Sequence, residues 1–455
     1  MSEAVPRRRR WPRRLALGLG LAALAGGVWS VRVMLPRATG YAAKIGCSAT
    51  LVTGRSLEQV ADEELAALGF VALELDESHA EVRASVFGLA EQRARHFGRH
   101  GCMLVDDAPP ELAIEPRSPR VDPRPWPLGE GEDRRPDPAG LDRAGLERVL
   151  AAAFEEPDPE QPRRTRAVLV AWQGRLLGER YAEGIGRDTP LPGWSMAKSL
   201  TNAMVGLLVR EGELDLHAPA PIREWSEADD PRAAITLDHL LRMSSGLEFA
   251  ERYGPFGEGS DMLFVDDDAA ARAIAKPLVA EPGSVYAYSS GTANIVARVV
   301  GDCFADADAQ REFVERELFE PLAIRTAVLE LDRAGNFVGS SFALMSARDW
   351  ARLGQLYLEG GTWQGRAILP AGWVDYTRTP APACREGEYG ALFQTNGGRA
   401  RLPSIPDDAF EMVGHEGQSV LIVPSRQAVI VRLGLTQGSR WDTDAFAAEV
   451  LATLP

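Results

Sequence analysis

WSMAKSLTNAMVGLLVREGELDLHAPAPIREW (Trp194 to Trp225) sets a serine and a lysine three residues apart at the head of an apolar helical pattern. Positions i and i+3 share a helix face, so the Ser195 hydroxyl and the Lys198 amine can touch. A helix start also leaves backbone N–H groups unpaired and carries the positive end of the dipole, which favours a developing oxyanion. A serine hydroxyl needs a base before it acts as a nucleophile, and lysine can be that base where burial lowers its pKa. Leu200, Met204, Val205, Leu207 and Leu208 continue the apolar pattern and predict a buried helix. The plain alternative is a serine N-cap followed by a solvated lysine, and S-x-x-K alone does not separate the two.

Outward from this helix the chain reads as strands at both ends with helices between. Thr165 to Trp172 (TRAVLVAW) reads as a buried strand, Gln173-Gly174 as a turn, and Arg175 to Tyr181 as the returning strand. Near the C-terminus, Ser419 to Pro424 and Gln427 to Leu433 read as another hairpin-like pair. The expected class is α+β: a mainly antiparallel sheet assembled from both chain ends, with helices packed on it. Before this domain, Ser56 with Gln59 three residues on marks a helix start. Val71 to Leu75 and Glu81 to Val86 read as two strands about the turn from Asp76 to His79. The prolines from Pro109 to Pro138 cannot sit inside helices or central strands, and predict an extended linker or a wrapping arm. The expected organisation is a basic N-terminus with an apolar helix over 1–40, a small mixed segment over 41–105, a Pro-rich linker over 106–139 and one large domain over 140–455.

Several pieces in order give this large domain a family likeness. After the Ser195 helix come ITLDHLLRMSSGLEF (Ile235 to Phe249) and EPGSVYAYSSGTANIVARVVG (Glu281 to Gly301). FVGSSFALMSARDWARLGQLYLEGGTWQGRAILPAGW (Phe337 to Trp373) and GHEGQSVLIVPSRQAVIVRLG (Gly414 to Gly434) follow. Together they resemble the serine β-lactamase and penicillin-binding-protein superfamily. The likeness is nearer to the branch of esterases, class C β-lactamases and 6-aminohexanoate-dimer hydrolases. It implies a β-lactamase/transpeptidase-like fold, an antiparallel sheet flanked by helices with a helical subdomain.

The resemblance also implies roles. Ser195 would be the acylated nucleophile and Lys198 its base or proton relay. Tyr288-Ser289-Ser290 matches the tyrosine motif, so Tyr288 would pass the proton to the leaving group, with Tyr286 the competing alignment. Ser290 stands where many relatives have Asn, which puts recognition of a β-lactam side chain in doubt. His415-Glu416-Gly417 matches the third motif, K-T-G in penicillin-recognising enzymes. There Gly417 would let a strand approach substrate, and the backbone N–H groups of Ser195 and Gln418 would form the oxyanion hole. A lysine at the third motif holds a carboxylate; His415 is mostly neutral at pH 7, and Glu416 adds a repelling charge.

Composition sets the bounds. The chain has 455 residues, 45% hydrophobic and 25% charged, with a net charge of −15. These are ordinary globular values apart from the acidity, which argues against nucleic acid as a partner. None of the four cysteines forms a C-x-x-C pair, and no metal or other cofactor is expected. Six arginines between Arg7 and Arg14 precede the apolar run Leu15 to Val31, near the lower length limit for a membrane-spanning helix. By the positive-inside bias the chain would be anchored in the inner membrane and face the periplasm. Cleavage near Ala23-Leu24-Ala25 would instead release it to the periplasm or medium. A buried soluble helix is the third reading. Export places the cysteines in an oxidising compartment, where Cys47 and Cys102, bracketing the first folded segment, are expected to pair.

The expected function is a serine hydrolase cleaving a small ester or linear amide through an acyl-enzyme on Ser195. Two alternatives stand beside it. One is a penicillin-binding protein or β-lactamase acting on cell-wall peptides or β-lactams. The other is an envelope binding protein without catalysis, which would have no need of Ser195, Lys198 and Tyr288 together.

Overall fold

The computed structural model describes residues 19, 25–106, 112, 122–227, 229–439 and 441–455. Its centre is a six-stranded antiparallel sheet. Four strands are given by an N-terminal unit described below: β1 (Ala72–Asp76), β2 (Glu81–Val86), β3 (Leu89–His96) and β4 (Cys102–Val105). The central sheet then takes β5 (Thr165–Trp172) and β6 (Arg175–Tyr181) from one end of the chain. Three two- or three-residue strands, β7 (Leu191–Pro192), β8 (Val328–Leu329) and β9 (Ala343–Met345), form a small separate ribbon. A hairpin of β10 (Thr362–Trp363) and β11 (Arg366–Ala367) follows. The other end supplies β12 (Gln394–Thr395), β13 (Phe410–Gly414), β14 (Gln418–Val423) and β15 (Ala428–Gly434). The order is β12-β13-β14-β15-β5-β6, so the two chain ends meet where β15 pairs with β5.

The central strands are apolar on both sides because helices cover both faces. Ala167, Leu169 and Ala171 of β5 join the core shared with the helices Met196–Glu211 and Ala347–Leu358. The intervening Val168 and Val170 pack with the helices Arg143–Ala152 and Thr443–Thr453. Strands β14 and β15 divide in the same way, with Val420 and Val429 on one side and Leu421 and Ile430 on the other. Strict alternation with both sides buried gives the continuous apolar runs seen in the sequence. Gly354 lets its helix lie close on the sheet, since a Cβ there would sit 2.8 Å from Val420 Cγ1.

Helix Met196–Glu211 is buried continuously from Met196 to Leu208, because it lies between the sheet and a helical subdomain. A helix enclosed on all sides carries apolar residues around its whole circumference. The helix stops at Gly212, which takes the left-handed conformation (φ +79°) common past helix ends.

The N-terminal unit is larger than the two strands expected. It holds the helix Leu35–Cys47, the helix Leu57–Glu63 with its Ser56/Gln59 capping box, and the antiparallel meander β1-β2-β3-β4. Strand β3 (LAEQRARH) lacks β-branched residues, so its strand character comes from pairing with β2 and β4 rather than from propensity. The helix also begins before residue 41, the expected start of the segment. Cys47 and Cys102 are disulfide-bonded with Cα atoms 5.9 Å apart, whereas Cys303 and Cys384 are free. Lys44 and Glu330 form a buried ion pair between the unit and the large domain. Ser48 Oγ and the Cys102 N–H also donate to Glu330, at 2.8 and 2.9 Å.

Residues 7–14 and most of the apolar run Leu15 to Val31 lie outside the described residues, as do Pro109, Pro110, Pro116 and Pro119. Among the described residues no helix is long and apolar enough to cross a membrane. The described part of the Pro-rich segment wraps the large domain. Trp126 is buried, and Arg352 donates to the carbonyls of Pro127 and Gly129 at 2.8 Å and to Glu130 at 2.7 Å.

Reduction of Cys47–Cys102 is expected to destabilise the protein by about 4 kcal/mol, from the chain entropy of a loop spanning 55 residues. Urea unfolding with and without reductant measures this, and coincident curves would refute it.

Candidate active site

Ser195 occupies the N-cap position of helix Met196–Glu211, and its side chain makes no capping hydrogen bond. Its hydroxyl instead lies 3.0 Å from Lys198 Nζ. The i,i+3 spacing accounts for this contact; what surrounds it comes from distant chain. Lys198 is 2% exposed. Its Nζ lies 3.0 Å from Ser290 Oγ and 2.9 Å from the carbonyl oxygen of Ser340. The solvated-lysine alternative is thereby excluded by burial. Trp194, just before the serine, has φ +48°, a region that L side chains rarely adopt.

Helix Ser290–Gly301 brings its first residue, Ser290, to the lysine, and Tyr288 lies just before the N-cap Ser289. Ser290 is fully buried, and its hydroxyl donates to Glu251 Oε1 at 2.6 Å while its backbone N–H donates to Oε2 at 2.8 Å. This corrects its expected place on the substrate surface, because both sides of its hydroxyl are committed to protein groups. The Tyr253 hydroxyl lies 3.0 Å from Ser290 Oγ and 2.8 Å from Glu251 Oε1. Protein crowded around the hydroxyl, then the Glu251 charge, raises the Tyr253 pKa above its ordinary value, although the residue is half exposed. Tyr288 presents its ring to Lys198, with Nζ 4.9 Å from the centroid. Tyr286, the competing tyrosine, packs on Tyr389 with centroids 5.3 Å apart.

The third motif is a turn rather than part of a strand. His415 to Gly417 connect β13 to β14 in a short 3-10 segment, with Glu416 at φ +65° and Gly417 at φ +79°. A Cβ on Gly417 would meet Arg432 Nη1 at 2.7 Å and Trp441 Cβ at 3.0 Å, so its lack of a side chain serves packing against β15 and the C-terminal segment. The close approach to the loop before Ser195 is made by Gly414, where a Cβ would lie 2.1 Å from the Gly193 carbonyl oxygen. Gln418 opens β14, and its side-chain amide is spent on Gly434, donating through Nε2 at 2.5 Å and accepting through Oε1 at 3.0 Å.

His415 opens this turn. Its ring is 64% exposed, yet the protein crowded around it lowers the pKa below the usual imidazole value. Its neighbour does not offset this. Burial pushes the Glu416 carboxyl up to about 7, against the lowering effect of the Trp194 hydrogen bond at 3.1 Å. A carboxyl half-neutral near pH 7, with its nearer oxygen 3.9 Å from His415 Nε2, holds a positive imidazole poorly.

Glu416 has a measurable consequence for stability. Its pKa is higher folded, about 7, than its ordinary 4.5, so folding takes up a proton between these values. The contribution is therefore full below pH 4.5 and is lost as pH rises through about 7. Glu416→Gln should remove this loss, up to about 3 kcal/mol, when the two proteins are compared by urea unfolding at pH 5 and pH 8. Equal pH dependence in the two would contradict the assignment.

Sequence reasoning missed Glu251, Tyr253 and the Ser340 carbonyl. Glu251 and Tyr253 lie just past the M-S-S-G-L turn, in a loop with neither periodicity nor motif spacing to mark them. The Ser340 backbone is held by Asn294 Oδ1, which accepts from its N–H at 3.0 Å.

Comparisons with known proteins bear on the family and the fold. A family model described as Beta-lactamase matches residues 150–453. A 6-aminohexanoate-dimer hydrolase from Paenarthrobacter ureafaciens is 26% identical over 319 residues, covering 63% of this chain and 77% of that protein. Two solved structures show the same fold at 16% identity, each with a TM-score of 0.54. One is a penicillin-binding protein homologue from Caulobacter crescentus, covering 69% of this chain and 98% of the other. The second is a family VIII carboxylesterase, with coverage of 70% and 98%.

Proposed function

The chain belongs to the beta-lactamase family, and from that premise we propose that it is a serine hydrolase that cleaves a small ester or linear amide through an acyl-enzyme on Ser195. The observation that carries this reading is the placing of Lys198 Nζ among Ser195 Oγ, Ser290 Oγ and the Ser340 carbonyl. A neutral amine has two N–H bonds and one lone pair. Directed at Ser290 and Ser340, the two N–H bonds leave the lone pair for the Ser195 proton. Oγ then attacks the substrate carbonyl, and the tetrahedral oxyanion is taken by the backbone N–H groups of Ser195 and Gln418. Tyr288, with its ring against Lys198, delivers the proton to the leaving group, and water later releases the acyl group.

The third motif supports neutral substrates. His415 offers no fixed positive charge and Glu416 is partly ionised, so the turn lacks the cation that would hold a carboxylate. The esterase and 6-aminohexanoate-dimer hydrolase among the relatives point the same way. We further propose that the enzyme works on the outer side of the inner membrane or beyond it. The basic block and apolar run at the N-terminus and the Cys47–Cys102 bond support that placement.

A fluorophosphonate probe tests the function. It should label wild-type enzyme at Ser195, and a panel of 4-nitrophenyl esters and short amides should then be turned over in preference to carboxylate-bearing analogues. An unlabelled Ser195, or a labelled penicillin adduct there with no esterase activity, would reject the proposal.

A further inference from the structure

Two non-glycine residues beside the reacting serine share a costly backbone conformation. Trp194 (φ +48°) precedes Ser195 directly, and Glu416 (φ +65°) stands two residues before Gln418. Such conformations persist where the surroundings over-determine them. Here the two side chains hold one another, with Trp194 Nε1 donating to Glu416 Oε2 at 3.1 Å. Glu416 is 8% exposed.

Each residue is also anchored to a different part of the fold. The Glu416 carbonyl accepts from Arg432 Nη1 at 2.9 Å and from the Thr436 N–H at 3.0 Å, which ties the turn to β15 and the segment after it. The loop of Trp194 is tied to β9 through the Gly193 N–H, which donates to the Ala343 carbonyl at 2.8 Å. The indole–carboxyl bond spans these two anchored pieces. The Ser195 N–H rides on one and the Gln418 N–H on the other.

We propose that Glu416 is a positioning residue: through the Trp194 indole it sets the spacing between the Ser195 and Gln418 N–H groups that receive the oxyanion. The proposal rests on the acyl-enzyme reading above. Its chemistry is that of a strut. Oxyanion donors must sit within hydrogen-bond reach of the reacting oxygen, and a displaced donor forfeits stabilisation of the transition state more than binding of the ground state.

The fluorophosphonate probe reads this without knowledge of the natural substrate, because its phosphoryl oxygen occupies the same position. Wild type, Glu416→Ala, Glu416→Gln, Trp194→Phe and the Trp194→Phe/Glu416→Ala double variant are compared for the maximal labelling rate and for the half-saturating probe concentration, with the melting temperature of each recorded. Glu416→Ala should lower the maximal rate at least about 30-fold, short of the roughly 10²–10³-fold cost of deleting a donor. Half-saturation should stay within about threefold, the mark of an effect on the transition state alone. Glu416→Gln retains a carbonyl acceptor for the indole and should recover to within about threefold of wild type. Trp194→Phe should match Glu416→Ala, and the double variant should be no worse than either single, since neighbours acting through one bond are not additive. A Glu416→Ala rate within threefold of wild type, a Gln variant as poor as Ala, or additive losses in the double variant would each overturn the proposal. Wild type that does not label at Ser195 would instead overturn the acyl-enzyme reading. If Glu416→Ala fails to fold, the Gln and Phe variants still decide, through rescue by the one and loss by the other.

Discussion

Ser195→Ala is expected to abolish hydrolysis, a fall of about 10⁴–10⁶-fold in kcat, with the melting temperature unchanged to within a few degrees. The two halves of this expectation have separate causes. Activity goes because the attacking oxygen is removed and the remaining hydroxyl beside Lys198, that of Ser290, is buried and bonded to Glu251. Stability stays because the Ser195 side chain makes no capping hydrogen bond, so the cost is at most about 1 kcal/mol. Ester hydrolysis and thermal unfolding of the same preparation measure both. Activity retained within tenfold would end the reading of Ser195 as nucleophile.

Replacing Lys198 should be nearly as damaging to activity but should also weaken the fold. Methionine fills much of the same volume yet leaves the Ser340 carbonyl without its amine inside the protein. An orphaned buried acceptor costs about 1–3 kcal/mol. Arginine keeps a donor but cannot accept the serine proton, and its planar fork does not fit a site shaped around one nitrogen. Both variants should therefore show fluorophosphonate labelling reduced about 10³-fold or more, as expected for loss of a unit that acts with the nucleophile. Near-normal labelling of Lys198→Arg would remove lysine from the role of base and leave its buried bonds as structural.

The residues by themselves determined what short spacing encodes. Ser195 and Lys198 meet because three residues of helix bring their side chains to one face. The Ser56/Gln59 capping box forms at the predicted helix start for the same kind of local reason. The apolar runs of β5, β14 and β15 announced a sheet built from both chain ends, because alternate residues buried on two faces leave few polar positions in the sequence. Tertiary structure decided everything that joins remote segments. Ser290 meets Glu251 across 39 positions, Trp194 meets Glu416 across 222, and Lys44 meets Glu330 across 286. No period in the sequence records such distances, since they depend on how loops cross the packed core. His415 to Gly417 show the limit most directly. The motif could be found by its place in the chain. That it forms a turn, aims Gly417 at Arg432 and buries Glu416 against Trp194 follows from the contacts of β15, the C-terminal segment and the Trp194 loop, which exist once the chain has folded.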